Sequence, residues 1–245
     1  MIRRLTFLSL LLCNLALQAC AKEESCIEII FEGQPFTVCK TTSAADIRLF
    51  HKNEQGRVFG DFATVNKTLK TSERALAFAV NGGMYHADRS PVGLYIEDGI
   101  QTSRLSTNSG PGNFHMLPNG VFWIGQGVSG VISAEGFDPA NVVYATQSGP
   151  MLVIEGELHP DFGEKSKSFR LRNGVGQTAM GEVYFVKSEL PVNFHTFARL
   201  FRDELKTPNA LYLDGTVSKL YSDNLNRNDT GHKMGPIIGV IKPIH

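Results

Sequence analysis

Two short apolar runs in this chain each stop at a polar residue followed by glycine, and that pattern constrains the fold more than any other feature. The first, Ala75 to Val80, ends at Asn81-Gly82-Gly83-Met84-Tyr85. The second, Ala210 to Leu213, ends at Asp214-Gly215-Thr216. An unbroken apolar run closed by a turn signal reads as a buried strand. Each run follows a helical period. Asp61 is an N-cap candidate ahead of Phe62, Val65 and Leu69, and Phe197, Ala198, Leu200, Phe201 and Leu205 recur helically within Asn193 to Lys206. Two related helix–strand units of this kind would place Asn81 near Asp214. A carboxylate at the end of a buried strand is held rigidly at the edge of the core, where sites are often built. The competing reading makes Asp214-Gly215 only a hairpin turn in which glycine supplies the positive φ.

The remainder reads as strands and turns. The 24 glycines lie in short motifs rather than in a linker, so they mark many tight turns. Ile47 to Phe50 is a strand. Pro91 to Ile96 and the run from Ile100 flank Glu97-Asp98-Gly99 as a hairpin. Asn113 to Met116 and Gly120 to Ile124 flank Pro118-Asn119-Gly120 as a second hairpin, and Val128 to Ser133 follows as a strand. Tyr144 to Pro150 leads into Met151 to Ile154 and the turn Glu155-Gly156-Glu157. Val175 to Met180 pairs with Val183 to Val186 across Gly181-Glu182, and Ile237 to Ile241 is the last strand. The expected class is α+β: hairpin-rich mixed β-sheets with a few helices packed on them, in a single domain.

The chain opens as an export signal. Met1-Ile2-Arg3-Arg4 precedes an apolar core, Leu5 to Leu17, that is too short to span a bilayer comfortably. Leu17-Gln18-Ala19-Cys20 then supports two readings: a lipoprotein cleavage site that leaves Cys20 lipidated at the new terminus, or a plain secretory cut near Ala19. The expected organisation is a leader at 1–20, an N-terminal strand segment at 21–45 and the main domain at 46–245. Either reading exports the protein, to a bacterial periplasm, with membrane contact only through an anchor at Cys20. Of 24 basic residues, loss of Arg3 and Arg4 leaves 22 against 24 acidic ones, so nothing favours nucleic acid or an anionic membrane surface. Cys26 and Cys39 flank two strands around Glu32-Gly33-Gln34-Pro35 and could pair in an oxidising compartment, a short loop contributing ~2–3 kcal/mol. No Cys or His spacing suits zinc, and no acidic spacing, including Asp223 to Asp229, matches an EF-hand. No cofactor and no metal are expected.

Several polar residues could carry chemistry. Arg172 precedes what reads as a Gly-rich turn, Asn173-Gly174-Val175-Gly176, and can present a planar fork of donors to a phosphate or carboxylate. A surface arginine beside a hairpin is the plainer alternative. Gln147 and Ser148 offer amide and hydroxyl groups that suit sugar hydroxyls, or simply form a polar turn. Ser148 lacks a nucleophile elbow. His86 with Asp88, and His115, read more simply as loop hydrogen-bonding groups.

Taken in order, Asn81-Gly-Gly-Met-Tyr, Pro91-Val-Gly-Leu-Tyr, Asn113-Phe-His with Pro118-Asn-Gly-Val, Gln147-Ser-Gly-Pro-Met-Leu, Arg172-Asn-Gly-Val-Gly, Leu213-Asp-Gly and Gly235-Pro-Ile resemble the phosphodiester glycosidase family, and within it the bacterial exported branch. The resemblance spans Phe50 to Ile241. The family pattern Leu-Asp-Gly-Gly-x-Ser is altered here: Thr216 stands in place of the second glycine, and Ser218 is retained.

The resemblance implies a hydrolase that cleaves a sugar-1-phosphodiester in an envelope or extracellular glycan. Arg172 would bind the phosphate. Asp214 would serve the oxocarbenium-like sugar as stabiliser, nucleophile or general base. Asn81, Gly82, Gly83, Gln147, Ser148, Asn173, Gly215 and Thr216 would bind substrate. Glu155 and Asp88 are candidates for a second, acidic carboxyl. The rivals are a hydrolase of ordinary glycosidic bonds, which needs two facing carboxylates, a non-catalytic glycan-binding lipoprotein, and a structural lipoprotein.

Overall fold

The computed structural model describes residues 25–215 and 217–244. The expected leader, with Cys20, and Thr216 lie outside the described residues. In chain order the elements are β1 (Ser25–Phe31), β2 (Gln34–Thr42), β3 (Ile47–Phe50), α1 (Phe62–Leu69), β4 (Arg74–Asn81), β5 (Tyr95–Glu97), β6 (Ile100–Ser103), β7 (Gly120–Ile124), β8 (Ser129–Ser133), β9 (Tyr144–Ser148), β10 (Met151–Ile154), β11 (Glu157–Leu158), β12 (Asn173–Gln177), β13 (Glu182–Ser188), α2 (Phe194–Arg199), β14 (Asn209–Tyr212), β15 (Leu220–Ser222), β16 (Arg227–Asn228) and β17 (Ile237–Pro243). A π-helical turn, Leu200–Glu204, continues α2. The class is α+β in one domain.

The strands form three sheets with antiparallel pairing throughout the ladders described. Sheet one has seven strands in the order β1-β2-β13-β12-β14-β10-β11. Sheet two runs β16-β15-β4-β17-β3, and sheet three runs β6-β5-β9-β7-β8. The two apolar runs are thus the central strands of different sheets: β4 lies between β15 and β17, and β14 between β12 and β10. Both faces of each are covered, which is why they read as continuous apolar runs rather than alternating ones.

The three sheets meet around one interior. Phe185 of sheet one lies 5.8 Å from Phe78 of sheet two and 5.5 Å from Phe122 of sheet three, measured between ring centroids. Each helix covers an outer face. Asp61 caps α1 by accepting a hydrogen bond from the Thr64 N–H at 2.7 Å, and Phe62, Val65 and Leu69 are buried against sheet two. Asn193 caps α2 in the same way through the Thr196 N–H at 2.8 Å, and Phe197 and Phe201 pack on sheet one.

The β1–β2 hairpin is continuous with the domain, since β2 pairs with β13 from Thr42 opposite Glu182 to Phe36 opposite Ser188. Cys26 and Cys39 face each other in this hairpin and are joined by a disulfide.

Two expected local features take other forms. Asn113 to His115 is a 3-10 turn rather than a strand. The strand β7 pairs instead with β8 and β9, because the Asn119 amide holds the preceding loop through the carbonyls of Ser106 and Phe114. The expected Gly-rich turn after Arg172 is strand β12. A Cβ on Gly174 would lie 2.8 Å from the Leu211 carbonyl oxygen, and one on Gly176 would lie 2.7 Å from the Phe201 ring. These glycines admit close packing and form no anion-binding turn.

Candidate active site

The site is built where β4 and β14 end. Leu213 donates its N–H to the Asn173 carbonyl at 3.0 Å, so the β12–β14 ladder continues past Tyr212. Gly174 is opposite Tyr212, and the same register sets Arg172 opposite Asp214. Side-chain alternation then puts Arg172, Tyr212 and Asp214 on the face toward α2, and Asn173 and Leu213 on the face toward the interior.

Asn81 links the two strand ends. It is fully buried, and its Nδ2 donates to the Asp214 carbonyl at 3.0 Å. Its Oδ1 accepts from the Lys219 N–H at 2.9 Å and from the Asn173 amide. One side chain therefore positions the backbone of Asp214 from the neighbouring sheet. The carboxamide is suited to the task because it donates and accepts at once.

The charge of Asp214 reaches two tyrosines, Tyr85 and Tyr212. Burial pushes the Tyr212 hydroxyl up to about 12; the Arg172 charge opposes that shift and the Asp214 charge adds to it. Tyr85 is raised as well, first by burial and then by Asp214. Both phenols stay protonated at neutral pH. Gly215 fits only because it has no side chain: a Cβ would lie 1.5 Å from the Tyr212 Oη. A Cβ on Gly235 would likewise lie 2.5 Å from the Tyr85 ring.

Arg172 is fully buried. Its guanidinium carbon stacks 3.5 Å from the Phe194 ring centroid, Nε donates to the Val192 carbonyl at 2.8 Å, and Nη2 donates to the Ser168 carbonyl at 2.7 Å. Nη1 meets no acceptor at full hydrogen-bond geometry, and the guanidinium also lies within reach of the Tyr212 hydroxyl. The fork expected to face a phosphate is mostly bound to the chain itself, so Arg172 acts first as the post that holds residues 168–170 and 192 in place.

The other expected binding groups are largely engaged internally. Gly82 donates to the Pro236 carbonyl at 2.7 Å and Gly83 to Thr146 Oγ1 at 3.2 Å. A Cβ on Gly83 would meet the Gln147 carbonyl oxygen at 2.2 Å, so this glycine lets β4 and β9 approach closely. Gln147 is buried: its Oε1 accepts from the N–H groups of Leu94 and Ser106, and its Nε2 donates to the Ser106 carbonyl and to Asn119. It organises a loop instead of offering groups to a sugar. Ser148 and Asn173 are fully buried, and Ser148 Oγ and Asn173 Oδ1 have no partner.

Asp88 is tied to Ser90 in an exposed loop, and His115 Nδ1 lies 2.8 Å from the Asn108 carbonyl. Glu155 occupies a positive-φ turn, at 49°. Tyr85, which closes the Asn81 motif but carried no expected role, joins the site with Tyr212 and the backbone of Lys219, which the motifs did not include. Tyr212 had a usable signal, since it lies two residues before Asp214 in a strand and so shares its face. Among the described residues no group of three His, Cys, Asp or Glu side chains could hold a metal. A hollow of about 460 Å³ lies away from the strand ends, against Glu28, Ile29, Ile30, Pro35, Phe36 and Glu189. It contains none of the candidate residues, and the strand-end geometry is the better guide to chemistry.

Comparison with known proteins fits this arrangement. Residues 74–241 match the family model described as phosphodiester glycosidase. The uncharacterized protein YigE of Escherichia coli (strain K12) is 33% identical over 189 residues, covering 77% of this chain and 73% of YigE. The zebrafish N-acetylglucosamine-1-phosphodiester alpha-N-acetylglucosaminidase catalytic domain, auto-inhibited by its pro-peptide, superposes with a TM-score of 0.61 at 14% identity, over 89% of this chain and 82% of that one. A hypothetical protein from Synechocystis gives 0.58 at 13% identity, over 88% and 61%. At those identities the structural likeness is one of fold.

Proposed function

This chain belongs to the phosphodiester glycosidase family, and from that premise we propose that it hydrolyses the C1–O bond of a sugar-1-phosphodiester in an envelope or extracellular glycan. The observation that carries the reading is Asp214. It sits at the end of β14, its backbone is fixed by Asn81, its charge reaches the Tyr85 and Tyr212 phenols, and Arg172 is opposite it in the extended β12–β14 register.

In the proposed reaction the anomeric carbon faces Asp214. The C1–O bond breaks with its electron pair going to the phosphate oxygen, and water adds to C1. A phosphate monoester is a good leaving group, so charge stabilisation matters more than proton donation. The Asp214 carboxylate meets the positive charge that develops at C1. Arg172 contributes a buried cation whose charge reaches the Tyr212 hydroxyl and which holds residues 168 and 192 beside the site. Tyr212 and Tyr85 supply O–H groups that can donate without changing charge. They fill the place that a second carboxyl holds in ordinary glycosidases.

Export supports a glycan substrate outside the cytoplasm. The Cys26–Cys39 disulfide suits an oxidising compartment, and the leader with Cys20 is the sequence basis for a lipid anchor.

The test is turnover of a panel of hexose and N-acetylhexosamine 1-(methyl phosphate) diesters, followed as release of methyl phosphate. We expect one member to be hydrolysed and Asp214→Asn to lower kcat by about 10³-fold, the scale of losing a principal transition-state charge, with an unchanged melting temperature. No turnover of any member, or wild-type turnover by Asp214→Asn, overturns the reading. Sugar binding without product would instead favour a glycan-binding module.

A further inference from the structure

The loop that follows β4 holds an arginine in a conformation that arginines rarely adopt. The chain leaves at Tyr85 and returns at Pro91, which bridges back to Tyr85, and the Val92 N–H donates to the Met84 carbonyl at 3.0 Å. Inside this loop Arg89 has a φ of 74°, in the left-handed region that favours glycine. Its backbone is fixed on both sides. The Arg89 N–H donates to the His86 carbonyl at 2.9 Å, and the Arg89 carbonyl accepts from Nε2 of the buried His51 at 2.9 Å. A backbone held against its preference by surrounding bonds points to a use for the side chain it carries.

That side chain lies on the site. The Arg89 guanidinium carbon is 5.3 Å from the Tyr85 ring centroid, over the ring. Burial raises the Tyr85 phenol first, the Asp214 charge raises it further, and the Arg89 charge opposes both. Tyr85 is therefore the neighbour that the carboxylate and the guanidinium share. Arg172 has Nε and Nη2 bound to the chain, whereas the Arg89 guanidinium makes no hydrogen bond and no ion pair among the described residues. The adjacent carboxylate does not occupy it, since Asp88 Oδ1 accepts from the Ser90 N–H at 2.9 Å and from Ser90 Oγ at 2.6 Å. Five N–H donors in a planar fork, with no internal anion to hold, suit a pair of anionic oxygens brought by a ligand.

We propose that Arg89 is the residue that recognises the substrate phosphate, holding its oxygens beside Tyr85 while Asp214 meets the sugar. The inference rests on the phosphodiester glycosidase reading of the site and deepens it by naming the side chain that grips the leaving group. Arg172 supplies charge and framework from within, and Arg89 makes the contact. The backbone bonds to His86 and His51 hold the turn in advance, which limits the ordering that phosphate binding must impose.

The experiment is titration of the full protein with methyl phosphate, read by calorimetry and by the NMR signal of the Tyr85 ring carbon that bears the hydroxyl, assigned with Tyr85→Phe. Methyl phosphate should move that signal in the wild type. Loss of a charge-assisted contact corresponds to at least about tenfold in affinity, so Arg89→Gly and Arg89→Met should each weaken binding by that factor or more. Glycine accepts the left-handed backbone, so Arg89→Gly should keep or raise the melting temperature, whereas an arginine with a purely structural role would lower it and leave binding intact. Lys67→Ala, at an exposed position on α1, should leave the affinity unchanged. No binding by the wild type, unchanged affinity in either Arg89 variant, or binding that leaves the Tyr85 signal in place overturns the proposal. Turnover of the diester panel is read separately. Phosphate binding through Arg89 without turnover sinks the proposed reaction alone, and turnover with phosphate affinity independent of Arg89 sinks the phosphate assignment alone.

Discussion

Glu97 shows how a single carboxyl can set the pH range of this protein. It is partly buried beside Tyr95, whose hydroxyl donates to Glu97 Oε2 at 2.8 Å. Burial pushes the carboxyl from its ordinary 4.5 up to about 7; the Tyr95 hydrogen bond opposes the shift and the Asp98 charge adds to it. A carboxyl raised in the folded state binds its proton more tightly there than in the unfolded chain. Its ionisation therefore costs nothing below about pH 4.5, costs progressively more up to pH 7 and the full amount above. Glu97→Gln keeps an acceptor for Tyr95 and removes that cost. The variant should be more stable than wild type at pH 8 by about 1–2 kcal/mol, after discounting for solvent screening, and no more stable at pH 4.5. Paired thermal melts at the two pH values check it, and an equal gain at both would remove ionisation as the cause. At this scale the sequence disclosed the Asp214–Asn81 pairing, because strand ends marked by Gly-containing stops are local signals. Glu97 read only as part of a hairpin, and the engagement of Gln147, Gly82 and Gly83 was hidden, because burial and hydrogen-bond partners come from residues far away in the chain.

Strand β12 is the element in which local chemistry and tertiary packing disagree most. Two glycines in five residues argue for a turn by propensity, yet the segment is the strand that sets Arg172 opposite Asp214. The explanation is crowding from α2 and its π-helical continuation. A Cβ on Gly176 would meet the Phe201 ring at 2.7 Å and the Thr207 hydroxyl at 2.8 Å, neither at the end of a long flexible side chain. Gly176→Ala should destabilise by about 1–3 kcal/mol through overpacking, read as a lower denaturant midpoint with an unchanged slope. A neutral or stabilising alanine would show that the helix yields freely. The helix–strand units themselves were legible because caps and apolar periods are encoded in a dozen neighbouring residues. The misread hairpin at Asn113 to Gly120 had turn residues of the right type, but the Asn119 amide directs them to hold a loop.

At the scale of the molecule, sheets one and two are fastened by a charged cluster away from the site. Arg227 of β16 holds Glu189 with both carboxylate oxygens, Nη1 to Oε1 at 2.6 Å and Nη2 to Oε2 at 3.0 Å, and Thr37 of β2 donates to the same carboxylate. Burial alone would raise Glu189, but Arg227, Thr37 and Lys187 hold it at about 2. With the folded value below the unfolded one, this stabilisation is complete above about pH 4.5 and is lost as pH falls toward 2. Arg227→Ala leaves a half-buried anion held by Lys187 and Thr37 alone and should cost about 1–2 kcal/mol at pH 7, lowering the melting temperature by roughly 2–8 °C. The penalty should shrink in melts below pH 4. A constant penalty across that range would mean that Arg227 acts through packing. The class and single domain could be read from hairpin-rich patterning, but the order of strands in three sheets could not, because Arg227 and Glu189 carry no mark in sequence of being partners. The Asn81 side chain has a consequence of another kind. Its amide joins positions 133 residues apart, so Asp214 and the group that seats it cannot be inherited separately. Any gene fragment that carries the chemistry must run from β4 past β14. The matched family segment, 74–241, begins on the first residue of β4 and ends within β17, and so contains both ends of this bond.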